Sequence, residues 1–183
     1  TRRVRRRSRK KLMERRHAVR RAAGAIGSAA AVLPAGAQLA GPNADWKETE
    51  AQPPPLKVEG LVPVDMQGSV LRWGVDPASI TIARDGVVRY VVVARSEGGA
   101  INALYEGLRC STGEVKLYAR SAGDQWVPVR DADWKPMGSS AATLHSRAIA
   151  RNGACVGHGA NRSPDQIARD LRKPHDQKFR SEY

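Results

Sequence analysis

The chain has 183 residues and a formal net charge of +13, with 31 Lys and Arg against 18 Asp and Glu. Residues 1–37 hold 12 of those basic residues and one of the acids, Glu14, which leaves 19 basic and 17 acidic residues, about +2, in the remainder. A near-neutral remainder has no broad positive field, which argues against nucleic acid as its partner.

Residues 1–37 follow the order of a secretory signal peptide. A basic run from Arg2 to Lys11 and a second cluster (Arg15, Arg16, Arg20, Arg21) precede the apolar stretch Ala22 to Leu33. Pro34 and the triplet Ala35-Gly36-Ala37 follow, giving an A-x-A cleavage site at Ala35 and Ala37. The sequence leaves the start open between Met13 and an upstream position; from Met13 the leader is 25 residues long. The apolar stretch of 12 residues is short of the roughly 20 that a spanning helix needs, so no stable membrane anchor is expected. The expected destination is the periplasm, with signal peptidase and the export machinery as partners in transit. The residues after Arg15-Arg16 (His17-Ala18-Val19) extend the twin-arginine pattern poorly, and the sequence leaves the choice between the general and twin-arginine routes open. The alternative is a cytoplasmic RNA- or ribosome-associated protein using Arg2 to Arg21 as a basic arm. Such an arm requires neither the apolar segment nor the A-x-A triplet.

Residues 38–65 read as a Pro-rich linker, extended or disordered, with Gly41-Pro42-Asn43, a charged run around Trp46 and Pro53-Pro54-Pro55. Trp46 is a candidate for docking on the body. Residues 66–173 are expected to form a single globular domain, and residues 174–183 a loose tail. Ser79 to Ile82 alternates at period two, Arg84-Asp85-Gly86 turns, and Val87 to Arg95 returns, which is a hairpin signal. A three-residue loop with left-handed Gly86 pairs Ile82 with Val88 and keeps Ile80, Ile82, Val88, Tyr90 and Val92 on one face. The next strand, Ile101 to Cys110, places Leu104 and Leu108 on one face and Tyr105 on the other. Thr112-Gly113 leads into Val115 to Arg120, read with Val115, Leu117 and Ala119 on one face, and Ala122-Gly123-Asp124 leads into Trp126 to Val129.

Beyond Trp134, Ser139 or Ser140 caps a helix running to about Arg151, with Leu144, Ala148 and Ile149 as its apolar stripe and Asn152-Gly153 as its stop. Ser163-Pro164-Asp165-Gln166 opens a second helix with a capping box, and Ile167 and Leu171 form its buried face. The fold class is α+β: an antiparallel β-meander of four to six short strands with two short C-terminal helices and one disulfide. Cys110 and Cys155 are the two cysteines, and in an oxidising compartment an even count favours their pairing, with two buried free thiols as the alternative.

The stretch Asp85-Gly86-Val87-Val88-Arg89-Tyr90 is followed by Gly99-Ala100, Tyr105-Glu106-Gly107 and Arg109-Cys110. Together with Lys116, Tyr118-Ala119, Gly123, Trp126, Trp134 and Cys155, it resembles the cryptic neisserial protein-like family of small exported proteobacterial proteins. The likeness runs roughly from Trp46 to Leu171 and is densest over 85–134. It implies a periplasmic or lipid-anchored envelope protein and carries no catalytic residue onto this chain. The lack of a lipobox cysteine after the leader favours the soluble periplasmic form.

Chemistry is sparse. Arg89, Tyr105, Glu106 and Arg109 form the candidate polar surface site, against the alternative of an ordinary surface ion pair. His145, His158 and His175 show neither H-x-x-x-H nor H-E-x-x-H spacing, there is no C-x-x-C, and no G-x-S-x-G or phosphate-binding glycine motif occurs, so no metal, cofactor or catalytic residue is expected. An uncharacterised hydrolase would draw on Glu106 and His158. Trp73, Trp126 and Trp134 read as packing residues, since Phe179 is the only phenylalanine. The expected role is a binding or structural module of the cell envelope with an unknown envelope partner.

Overall fold

The computed structural model describes residues 45–173. The leader with Ala35 and Ala37, the tail at 174–183, His175 and Phe179 lie outside the described residues.

Among the described residues, eight strands form one antiparallel sheet. They are β1 (Val62–Val64), β2 (Arg72–Val75), β3 (Thr81–Ile82), β4 (Val88–Arg95), β5 (Ile101–Arg109), β6 (Glu114–Ala122), β7 (Gln125–Pro128) and β8 (Lys135–Pro136). The order is β1-β2-β4-β5-β6-β7, with β3 also paired to β4 and β8 also paired to β6. The central meander β4-β5-β6-β7 is the one the sequence predicts, and β1 falls within the segment read as linker. A small hairpin of β9 (Cys155–Val156) and β10 (Gly159–Ala160) and two helices, α1 (Leu144–Ile149) and α2 (Pro164–Leu171), complete the fold.

The hairpin β3-β4 takes the register that its apolar pattern demands. Ile82 pairs with Val88, Gly86 has φ +76°, and Ile80, Val88, Tyr90 and Val92 are buried together. β2 and β3 are two halves of one strand interrupted by the 3-10 turn Pro77–Ser79. Asp76 caps that turn through the Ala78 N–H (3.0 Å). The Ser79 hydroxyl accepts the Val91 N–H (2.8 Å), a donor the interrupted ladder would otherwise leave unpaired.

The pairing of β5 with β6 shifts by one residue between Tyr105 and Glu106, so Tyr118 is the extra residue of a bulge. The expected single face of Val115, Leu117 and Ala119 is corrected by this bulge. Val115 and Leu117 face one core cluster, and Ala119 faces the other. Two apolar layers result. Val88, Tyr90, Val92, Leu104 and Leu108 pack under the helices, while Val91, Val93, Ala103, Tyr105 and Ala119 pack on the opposite face.

That second face is covered by residues 45–58, which hold no helix or strand. Ala51, Leu56 and Val58 pack onto it, with Leu61 beside them. The Trp126 indole donates to Pro54 O (2.8 Å) and Arg95 to Val58 O (3.2 Å), so the extended chain finds hydrogen-bond partners along the sheet.

The first helical segment differs from its predicted form. Ser140 and Thr143 bracket the 3-10 turn Ala141–Thr143 in a capping box, α1 follows, and a π-turn at 150–154 closes it at Gly153 (φ 139°). Leu144, expected on the buried stripe, is 44 % exposed, and His145 and Ser146 are buried beside Ile149 instead. In α2 the Ser163 hydroxyl caps the Gln166 N–H (3.1 Å), and Ile167 and Leu171 are buried. The Gln166 amide donates to Asp170 (2.7 Å). Cys110 and Cys155 form a disulfide with Cα atoms 5.7 Å apart, tying the end of β5 to the exit of the helical segment.

Candidate functional site

The four residues expected to share a surface site are divided between the two faces of the sheet, because neighbours along a strand point opposite ways. Arg89, Tyr105 and Arg109 lie on the face covered by residues 45–58, and Glu106 lies under the helices. Neither Arg89 nor Glu106 is at the surface, each being 3 % exposed.

On the covered face, Arg89 donates to both Asp85 carboxylate oxygens (2.7 and 3.2 Å) and to Thr49 O (2.9 Å). Asp85 also accepts from the Thr49 N–H and hydroxyl (2.8 Å each) and from the Val87 N–H (3.0 Å). Burial raises the Asp85 carboxyl, but the Arg89 guanidinium and these donors outweigh it and hold the group well below its ordinary value. Glu48 accepts from Lys116 (2.8 Å) and Tyr118 (2.7 Å). Burial raises Glu48 too, and the Lys116 and Tyr118 donors bring it below the usual carboxylate range. Burial, then the Glu48 hydrogen bond, pushes the Tyr118 phenol far up, so it stays a donor. Trp46 lies 3.8 Å from the Arg109 guanidinium, meets Trp134 edge-on at 5.9 Å, and donates its indole N–H to Asp85 O (2.9 Å). Asp85, Arg89, Arg109, Lys116, Tyr118 and Trp134, all among the residues that carry the family resemblance, take part in these contacts.

The helix-side face carries a different constellation. Tyr90 and Glu106 are cross-strand partners on β4 and β5. The Tyr90 hydroxyl donates to Glu106 Oε2 (2.9 Å), the Ser146 hydroxyl donates to the same oxygen (3.2 Å), and His145 Nε2 lies 2.9 Å from Oε1 and 3.0 Å from Oε2. Burial and the Glu106 charge push the Tyr90 phenol far above its usual value, so it remains protonated and donating. A carboxylate already accepting two hydroxyl protons takes the Nε2 proton as well, which fixes the histidine orientation. Trp73 stacks on the His145 ring (centroids 4.3 Å apart, 9° between planes). His145 is 1 % exposed, and its Nδ1 has no hydrogen-bond partner.

Trp73, Glu106 and His145 line a cleft of about 500 Å³ over β5 and β6. Leu104, Val115 and Leu117 give it an apolar floor, and Arg120, Lys135, Asp131 and Asp133 stand around it. Its walls are the loop between β7 and β8, which leaves β6 between that strand's two pairings, and the 3-10 turn ahead of α1. Sequence reading places His145 beside a helix stripe and Trp73 in the packing, but it does not join Tyr90, Ser146 or Trp73 to Glu106. The Tyr90–Glu106 pairing follows only from strand register, and the contact with His145 only from helix-on-sheet packing. His158 is exposed in the turn of the β9-β10 hairpin. Among the described residues no three His, Cys, Asp or Glu side chains are grouped to hold a metal ion.

The chain is 28 % identical over 114 residues to Cryptic neisserial protein 1 of Neisseria gonorrhoeae, a match covering 52 % of this chain. It spans 56 % of the length of that curated relative. No solved structure matches the chain. The family profile, by contrast, covers the sheet, the clamp, the cleft and both helices without a break: from residue 42 to residue 172, the chain belongs to the CNP1-like family.

Proposed function

We propose that this chain is an exported periplasmic protein that acts as a binding module of the cell envelope, with the cleft over β5 and β6 as its binding site. The observation that carries the reading is the Cys110–Cys155 bridge. It needs an oxidising compartment to persist, and it fastens the helical segment that supplies one wall of the cleft to the sheet that supplies its floor. The basic, apolar and A-x-A order of residues 1–37 supports the same destination. Among the described residues no helix is long and apolar enough to cross a membrane. The cleft is within the size range of small-molecule sites and joins an apolar floor to a few buried polar groups. Ser146 is fully buried and donates to Glu106, and Cys110 is bridged, so the geometry favours binding over nucleophilic catalysis.

The test is an intact mass on protein from a fractionated bacterial host, with and without reductant. A periplasmic species starting at Gln38 that gains two hydrogens on reduction is the expected result. A cytoplasmic species retaining residues 1–37 with free thiols overturns the reading.

A further inference from the structure

Among the buried residues that line the cleft, Glu106 is an acceptor that still has capacity. Glu106 Oε1 takes one donor, His145 Nε2, where a carboxylate oxygen can take two. His145 Nδ1 takes none. Both residues are nearly closed to water, so a missing partner there is costly. The floor leading to them is apolar, with Leu104, Val115, Leu117 and Trp73, which suits a hydrocarbon or ring body. At the mouth, the charges of Arg120 and Lys135 are matched by those of Asp131 and Asp133, so the entrance selects no sign of charge.

We infer that the cleft binds an uncharged, apolar-bodied ring alcohol or phenol, whose hydroxyl reaches the Glu106–His145 pair while its body lies along Leu104, Val115 and Leu117. The inference rests on the reading of this cleft as the binding site and adds the ligand class. A carboxylate at the inner end would meet the Glu106 charge in a place of low dielectric. An ammonium would lose its hydration and crowd His145, which is already the partner of Glu106. A hydroxyl can donate to the spare lone pair of Glu106 Oε1 without bringing a charge into the cleft.

The experiment titrates the oxidised chain with three probes of one shape: biphenyl-4-methanol, biphenyl-4-carboxylate and biphenyl-4-methanamine. Binding is followed by the side-chain NMR signals of His145 and the Trp73 indole. The alcohol is expected to bind about tenfold or more tighter than either charged probe, the ratio that one well-placed hydrogen bond sets, and to move the His145 ring signals. Leu117→Trp, which fills the floor without touching the polar pair, should abolish the binding. Glu106→Gln should narrow the gap between alcohol and carboxylate. If that variant fails to fold, the wild-type titration and Leu117→Trp still decide. Equal or tighter binding of a charged probe overturns the ligand class and leaves the binding site standing. A titration in which no probe moves His145 overturns the site itself. Neither result bears on export, which the mass and fractionation measurement tests separately.

Discussion

Asp85 holds more of the molecule together than its turn position suggests. It accepts from Arg89, Thr49 and Val87, so one carboxylate fastens residues 45–58 to the hairpin and neutralises an arginine that is 3 % exposed. Asp85→Asn keeps the shape but leaves the guanidinium buried without its counter-charge, at a cost of about 3 kcal/mol or more. Urea denaturation at neutral pH measures that loss. The pH dependence has a definite sign, because the folded-state carboxyl lies below its ordinary value of 3.8. The unfolded chain therefore binds the proton first as acid is added, and the stabilisation is complete above that value and lost as pH falls below about 4. Glu48, also lowered, acts in the same direction. The wild type should lose stability progressively as pH falls below about 4, and Asp85→Asn should show a flatter acid limb. Equal slopes in the two proteins would show that the Asp85 carboxylate is not the group being titrated.

Strand β6 shows how one extra residue arranges both faces of the sheet. The bulge at Tyr118 keeps Lys116 and Tyr118 toward Glu48 while turning Ala119 to the same side and Arg120 toward the cleft. Tyr118 lies across Gly107, where an added Cβ would sit 2.7 Å from the phenol oxygen and 2.8 Å from Val87 Cγ1. Gly107→Ala must displace the ring or the strand and should cost about 1–3 kcal/mol. A Tyr118→Phe background removes the contact with the phenol oxygen but leaves Tyr118 Cε2 and Val87 Cγ1 at 2.8 Å, so only part of that cost should vanish, and a double-mutant denaturation cycle reads that part directly. The hairpin β3-β4 was legible beforehand because its β-branched residues alternate cleanly and Asp85-Gly86 fixes the loop. The bulge was not, since the alternation of Val115, Leu117 and Ala119 runs through it unbroken. Likewise α1 hides its buried face: His145 and Ser146 are polar and go inside only because Glu106, some 39 and 40 residues earlier, waits there to accept from them. Residues 45–58 read as linker on account of their prolines, although Leu56 and Val58 alternate with exposed Lys57 and Glu59 in the manner of a chain lying on a surface.

At the scale of the whole molecule, one sheet is covered on its two faces by different kinds of bond. The helical side is tied covalently through Cys110–Cys155, whose separation of 45 residues implies about 4 kcal/mol of stabilisation in the chain-entropy picture. Cys110→Ser with Cys155→Ser should lower stability to denaturant by about that amount. The other side is tied through Asp85, held in the charged form by Arg89 beside it and by Thr49 of the covering segment, and through Glu48, held by Lys116 and Tyr118 of the sheet. The two covers should therefore come loose under different conditions. Acid protonates Asp85 and Glu48 and releases residues 45–58, while the disulfide, indifferent to protons, keeps the helices in place. Reductant severs the bridge and loosens the segment from α1 to α2 at neutral pH, while the carboxylate clamp stays intact. Hydrogen exchange read segment by segment separates these cases, since local opening exposes amides in contiguous units. Acid below about pH 4 on the oxidised protein should raise exchange at the amides of residues 45–58 and at Val87, whose N–H donates to Asp85. Reductant at neutral pH should raise it over 144–171 and leave residues 45–58 unchanged. Concerted loss of protection in both segments under either condition would mean that the two covers are coupled through the sheet, and that the cleft, whose walls stand on the helical side, shares its stability with the clamp on the far face.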